Sequence, residues 1–523
     1  MAANYLMPYS GEFYPVWSPG DNTAVIQAAL NAAQSAGGGV VDLGNYSWTI
    51  SGSGLSIDCS TTSLRGYGAT INCTNISIGA SAITVTNSGA IIFGNMVHSI
   101  EGIILKTTDN GTRKQVGITF FAPTSNYGFY STILLKNLLI EGFYWGWFLN
   151  NNSYVISNVY VNIQASTGAG IYVNASVYTL NNAGENVNWY GCTISNNVIP
   201  WFIVQCEMYF HSCSFDFNFF PFGFMDYANV NWIGCHFEAS YVSAGFGQPT
   251  GTASGGNKTI TVTGILPPPE LVTYFNSNGQ PFYITFNSVQ YNVTACSGVA
   301  SGSTLTTSTN VGAGTNSVLN YIIPPFFMGH GTYVINGGQF GLSNGAAAGP
   351  IANSFFGTFN SGPTTCTVKL IGVAGFFASE VGTSANVSGI NGVFYDSTNG
   401  YSNVQCYQMV AMRSENGTSV TGNGTVNLNC CFSEFFEVAL TGNTTIGAPI
   451  NAVEGFTITI IIQQTTGNAF TLSWTTGAGT PDDWDFGSLT APAAPNAGSF
   501  VQVVARYSWV ARKWLVQSVT GGY

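Results

Sequence analysis

Charge is what this chain has least of. Of 523 residues, only 6% are Asp, Glu, Lys or Arg, against about 25% in an ordinary soluble domain. Eleven are basic and the formal net charge is −11. So few cations cannot line a phosphate backbone, so no nucleic-acid partner is expected. The shortage is not made up by long apolar runs. No stretch of about 18 apolar residues occurs, so no membrane insertion is expected. The 11 cysteines show no CxxC and no Cys/His spacing of a zinc site, and Cys430 and Cys431 are adjacent. Their odd count leaves at least one thiol without an intramolecular partner. Neither a metal nor another cofactor is expected. Four histidines and the lack of a G-x-S-x-G elbow leave serine-esterase chemistry as a distant option. The opening MAANYLMPYSGEF has neither a basic n-region nor an apolar h-region, so synthesis in a reducing cytoplasm without a secretory signal is expected.

What is abundant is glycine, 64 residues, much of it in Asn-Gly and Ser-Gly pairs that mark tight turns. Between the turns lie Val, Ile, Thr, Tyr and Phe, the residues of strands. The chain reads as all-β. A surface of hydroxyls, amides and aromatics suits a carbohydrate, because rings cover apolar sugar faces and amides bond sugar hydroxyls. Any stable Asn/Ser/Thr-rich solenoid shares that composition.

Three segments repeat: Asn188-Trp-Tyr-Gly-Cys192-Thr-Ile-Ser195, Tyr209-Phe-His-Ser-Cys213-Ser-Phe-Asp216 and Asn231-Trp-Ile-Gly-Cys235-His-Phe-Glu238. Their cysteines recur at 213−192 = 21 and 235−213 = 22 residues, a solenoid period. Alternation puts Cys192, Ile194, Cys213, Phe215, Cys235 and Phe237 inside, as small core residues and aromatics. It puts Ser195, Asp216 and Glu238 outside and in register. Leu138, Ile140 and Glu141 align with Val159, Val161 and Asn162, and a loop is inserted near 176–186. After Glu238 the period breaks. Residues 245–328 read as a small inserted β domain, and the coil pattern returns at Val334–Phe340.

Residues 1–37 read as an extended arm followed by one helix. Asp21, Asn22 and Thr23 are its N-cap candidates, and Val25, Ile26, Ala29, Leu30 and Ala33 form one apolar stripe. The helix would cap the open end of a solenoid spanning 38–431. From 432 to 523 the strands lengthen, as in a β-sandwich.

The stretch GDNTAVIQAALNAAQSAGGGVVDLGNYSW resembles the start of pectate-lyase-like right-handed parallel β-helices, a pattern found in phage tailspike depolymerases. The C-terminal strings GFTITIIIQQTTGNAFTLSW and VQVVARYSWVARKWLV resemble the β-sandwich modules of phage tail fibres and tailspikes. The resemblance implies a homotrimer on a virion tail, made in the host cytoplasm. Its partners would be phage tail or baseplate proteins and a host surface polysaccharide. The aromatic segments Phe143–Phe148 and Phe215–Phe224 are expected to be covered by trimer formation.

Glycoside hydrolysis needs two carboxyl groups, about 5 to 5.5 Å apart in retaining enzymes and about 6.5 to 9.5 Å in inverting ones. Asp216 and Glu238, one rung apart, are the expected pair, and like charges at that distance should raise one pKa. Glu207 is a third candidate acid. His236 and Ser214 on the neighbouring outward position, Trp232, and Glu185 on the 176–186 loop are the expected substrate contacts. Three alternatives compete: a tail fibre that binds without cleaving, a polysaccharide lyase, and a secreted cellular enzyme. A lyase would want a Lys or Arg base, and none is expected in the Asp216/Glu238 column.

Overall fold

The computed structural model describes residues 5–6, 11–87, 98–109, 111–121, 131–150, 154–174, 186–220, 223–240, 249–278, 281–322, 326–328, 331–343, 354–357, 366–371, 374–376, 392–395, 418–426, 428, 430, 434–449, 455–464, 470–476, 483–508 and 510–521. The chain divides into two compact units, Met1–Lys369 with Thr383–Gln405, and Leu370–Gly382 with Cys406–Tyr523.

The first unit is a parallel β-helix. In each coil a first strand segment, a one-residue kink and a second segment lie on one long parallel sheet, and a third segment lies on another. One coil runs through Val187–Tyr190, Thr193–Ser195 and Ile199–Val204. The next runs through Glu207–His211, Ser214–Asp216 and Phe224–Asp226. The corners are set by residues in the left-handed region. Gly191, Ser212 and Gly234 kink three successive coils at φ 58°, 51° and 61°, and Asn196 and Phe217 turn the next corner at φ 56°. Asn186, Gln205 and Tyr227 close the third corner. Residues other than glycine and asparagine take this conformation at a cost, and here their amides are held by bonds to the next coil, as from Ser212 to Ile233 and from Gln205 to Asp226.

Burial follows from alternation. Cys192, Cys213 and Cys235 stack inward, as do Ile194, Phe215 and Phe237, all at or below 1% exposure. Each cysteine thiol donates to a carbonyl of the preceding coil: Cys192 to Asn158, Cys213 to Trp189 and Cys235 to Phe210. Behind them Trp189, Phe210 and Trp232 occupy one column, with Phe210 and Trp232 stacked at 6.0 Å. A buried asparagine pair ties the second corner: Asn218 donates to the Ile194 carbonyl and accepts from the Asn197 backbone. The helix is Thr23–Ser35 and buries Ile26, Ala29, Leu30 and Ala33. The Asp21 carboxylate accepts from the Thr23 amide and hydroxyl and from Ser51, which fixes the first turn.

The upstream register differs from expectation by two residues. Leu138 pairs with Val161, Ile140 with Ile163 and Glu141 with Gln164 rather than Asn162. Asn137 and Tyr160, both left-handed, set the match at the kink. A slip of two keeps every side chain on its own face. The loop expected near 176–186 lies outside the described residues except Asn186.

A closed six-stranded barrel, from Thr250–Ala253 through Gly314–Ile322, interrupts the coil that carries His236–Ser240. It includes the helix Pro269–Ser277. Its core is continuous with the outer face of the second sheet: Tyr172, Phe202, Phe219, Phe220 and Phe224 pack with Phe282, Ile284 and Tyr321. Phe143, Tyr144 and Trp147 are fully buried as well. Phe143, Tyr144, Trp147, Phe215, Phe219, Phe220 and Phe224, in the segments expected to need trimer formation, are therefore covered within the chain.

Among the described residues, the second unit holds a seven-stranded mixed sheet. Thr418–Val426 and Thr457–Gln464 pair parallel to Phe435–Ile446, and Phe500–Ser508 pairs antiparallel to Thr457–Gln464. Val438, Leu440, Ile460, Ile462, Val503 and Trp514 share its core.

Near the capped end Arg65 joins Asp42 at 2.8 Å and Glu12 at 3.1 Å. Asp42 is nearly buried, with its side chain 4% exposed. Arg65→Met should therefore destabilise the β-helix unit by roughly 3 kcal/mol, the cost of leaving one ion of a buried pair alone. Glu12→Gln, at an exposed partner, should change little. Urea denaturation of the two variants checks the contrast.

Candidate functional site

In-register stacking makes the outer wall of the first sheet a grid. One column reads Asp42, Arg65, Glu101, Lys136, Val159, Tyr190, His211, Ile233, Asn336. A second reads Asn72, Lys106, Glu141, Gln164, Ser195, Asp216, Glu238, Gly341. Where charged residues face each other on neighbouring rungs, their signs alternate: Asp42 with Arg65, Arg65 with Glu101, Glu101 with Lys136, Lys106 with Glu141. Opposite charges at such positions stabilise a ladder and like charges destabilise it. Among the described residues the pair that breaks the rule is Asp216 with Glu238. A chain this short of charge has set two carboxylates on adjacent rungs.

Between them stands His236, whose Nε2 lies 3.7 Å from Asp216 Oδ1 and 3.5 Å from Glu238 Oε2. Ser214 donates to Asp216 Oδ2 at 2.6 Å. Donor atoms of Asp216, His236 and Glu238 all lie within 4.8 Å of one another. Asp216 is the enclosed member, its side chain 18% exposed against 34% for Glu238 and 40% for His236. Its Oδ1 is buried and accepts no hydrogen bond among the described residues. Burial pushes the Asp216 carboxyl above its ordinary value, and the Glu238 charge adds to this, while Ser214 and His236 pull it down. The like charge expected to raise the pKa is thus the lesser cause, and desolvation the greater.

The arrangement supplies a carboxyl group whose pKa burial raises, beside a second, more exposed carboxyl group. It also offers one imidazole and two carboxylate donors to a divalent cation, a set of mixed softness. Of the residues singled out in the sequence, Asp216, Glu238, His236 and Ser214 come together. Glu207 does not: it opens the first segment of its coil and accepts from the Tyr209 hydroxyl. Glu185 lies outside the described residues. Trp232 is fully buried and offers no face to a sugar, which corrects the expected substrate contact.

The rings that do face outward are their neighbours in sequence. Tyr190 is 41% exposed and stacks on His211 at 4.8 Å, one position before the kink. Tyr160, 64% exposed, stands beside Gly191. Alternation already held this, since Trp189 pointing inward sends Tyr190 outward. Lys106 shares the Asp216 column, contrary to expectation, but stands four rungs away, roughly 19 Å at 4.8 Å per rung.

Three of the solved structures that resemble the chain are these. The A-module of the Azotobacter vinelandii mannuronan C-5 epimerase AlgE4 is 10% identical over 74% of this chain and 96% of that one, with a TM-score of 0.31. The Acinetobacter phage vb_AbaP_AS12 gp42 tailspike is 13% identical over 99% and 83%, with a TM-score of 0.42. The AlgE6 A-module of Azotobacter vinelandii is 12% identical over 74% and 94%, with a TM-score of 0.29. Likenesses this distant say nothing about the chemistry of the Asp216/Glu238 wall. No family description and no curated protein matches the sequence.

The enclosed Asp216 gives a stability signature. With its pKa raised on folding, the native state binds more protons than the unfolded state between the two pKa values, so stability falls as pH rises through that window. Asp216→Asn should remove this fall and stabilise the protein at pH 7. The difference should vanish below the ordinary aspartate pKa of about 3.9. Thermal unfolding across pH measures it, and an Asp216 with a purely architectural role would give the opposite sign.

Proposed function

We propose that this chain is a phage tailspike that binds and cleaves a host surface polysaccharide by glycoside hydrolysis. The observation that carries the reading is the Asp216/Glu238 pair, the one place where the described ladder opposes like charges. Asp216 acts as general acid and Glu238 as nucleophile. Their nearest oxygens, within 4.8 Å, suit the short spacing of retaining enzymes. The Asp216 proton passes to the glycosidic oxygen as the C1–O bond breaks, and Glu238 closes an ester to C1. Water then hydrolyses the ester, with Asp216 taking its proton. Ser214 and His236 bond sugar hydroxyls, and Tyr190 and Tyr160 offer ring faces along the wall. A lyase is disfavoured because the column holds no Lys or Arg within one rung of the pair. The tail location, the homotrimer and tail-protein partners rest on the resemblance of the N-terminal and C-terminal sequences to tailspikes.

The test uses capsular polysaccharide or O-antigen purified from the host, with reducing ends counted. Asp216→Asn and Glu238→Gln should each lower kcat by about 100-fold or more. Polysaccharide binding and the oligomer measured by light scattering should be unchanged. Wild-type rates in both variants would make the pair architectural and leave a binding-only tail fibre. Loss of wild-type cleavage on adding EDTA would move the three groups from acid and nucleophile to metal ligands.

A further inference from the structure

We infer that Asp216, His236 and Glu238 form a reversible site for a divalent transition-metal ion of the zinc or cobalt class. An ion bound there blocks cleavage. That consequence rests on the acid and nucleophile roles proposed above; the binding itself does not.

The donors are already spaced for an ion. One donor atom from each residue lies within 4.8 Å of the other two. The His236 Nε2 sits 3.5 Å from Glu238 Oε2 and 3.7 Å from Asp216 Oδ1, both too long for good hydrogen bonds. Bonds of about 2.0 to 2.2 Å to a tetrahedral ion hold its donors roughly 3.4 Å apart, so two edges of the triangle need little adjustment. Glu238, its side chain 34% exposed, has room to turn and close the third. Three protein donors with one position left to water is the pattern of an open zinc site.

A second observation points to a ligand. Asp216 Oδ1 is buried and accepts no hydrogen bond among the described residues. Ser214 donates to the other oxygen at 2.6 Å and so holds the carboxylate in place, the kind of support that carboxylate ligands have. Charge agrees. Asp42, Glu101 and Glu141 each have a Lys or Arg on a neighbouring rung, whereas Asp216 and Glu238 have each other. A dication between them restores the alternation of sign.

The imidazole decides the class of ion. Calcium takes about six to eight oxygen donors and magnesium keeps several of its waters, whereas one imidazole with two carboxylates suits zinc, cobalt or nickel. Bound by Asp216 and Glu238, the ion occupies the lone pairs that proton transfer and attack at C1 require.

Calorimetric titration of Zn2+ into the full, EDTA-treated chain tests the site, with the visible absorption of bound Co2+ as a second readout. One tight site per chain is expected, with Ca2+ weaker than Zn2+. Ser214→Ala should weaken binding roughly 10-fold, and His236→Gln, at an outward position 40% exposed, by about 100-fold or more. His211→Gln on the neighbouring column should change nothing. Zn2+ should raise the thermal midpoint of the wild type and not of His236→Gln. Saturating Zn2+ should stop the release of reducing ends, and EDTA should restore it. The site is overturned if neither Zn2+ nor Co2+ binds, if Ca2+ binds more tightly, if binding survives His236→Gln, or if His211→Gln removes it equally. Tight binding by a chain that cleaves nothing supports the site and removes only the cleavage reading. Undiminished cleavage at saturating Zn2+ overturns the block.

Discussion

Every feature of the β-helix unit depends on one constraint: a residue of one coil sits directly over its counterpart in the next, about 4.8 Å away. Inside, this repeats whatever packs well on itself, so cysteine follows cysteine and Phe215 stacks on Phe237 at 5.2 Å. At the corners it lets Ser212 and Phe217 hold left-handed conformations, because their amides are bonded to the next coil at Ile233 and Glu238. Outside, the same constraint turns charge into a problem of sign. The chain meets it mostly by having little charge and by alternating the sign of what it has. Against that background a like-charged rung is costly, and its persistence between Asp216 and Glu238 calls for a compensating use.

The compensation is partial. His236 stands between the two carboxylates at 3.5 and 3.7 Å, beyond the length of a good hydrogen bond. Ser214 satisfies one oxygen of Asp216 and leaves the other without a donor among the described residues. A site selected for stability would have closed these gaps with an amide or a second hydroxyl. Thr193 and Ser195, one rung earlier, show that neutral hydroxyls fit the same two positions.

The repeat was legible because three cysteines fell on one face at nearly constant spacing, and strand alternation did the rest. The pair Asp216/Glu238 followed from that register alone. Upstream the spacing was misjudged by two, because a left-handed kink at Asn137 or Tyr160 leaves no mark in an apolar pattern. Parity kept the facing correct all the same. Trp232 was misplaced for a different reason. A large ring beside a candidate site suggests stacking, but its position in the alternation sends it into the core and sends Tyr190 out. The cover over Phe219, Phe220 and Phe224 could not be read locally, since it comes from Phe282, Ile284 and Tyr321, some 60 to 100 residues later in the chain. Desolvation as the main cause of the Asp216 shift was hidden as well, because it depends on how far neighbouring rungs enclose the carboxyl.

The position of the inserted barrel bears on which wall can work on a polymer. The barrel leaves the coil after His236–Ser240 and the coil resumes at Phe326–Met328. It could have folded back over the first sheet and covered Glu238. Instead its apolar core joins that of the second sheet, where Tyr172, Phe202 and Phe224 lacked a partner layer. The reason lies in composition by wall. The outward positions of the second sheet are aromatic and bury well against a barrel, whereas those of the first sheet near Glu238 are Ser214, His236 and carboxylates, which would lose hydration for no packing gain. The hydrophobic effect therefore draws the insertion to one side, and Glu238 and His236 keep 34% and 40% of their side-chain surface in solvent. Among the described residues, the same preference of aromatics for cover thus leaves the Asp216/Glu238 wall open to solvent.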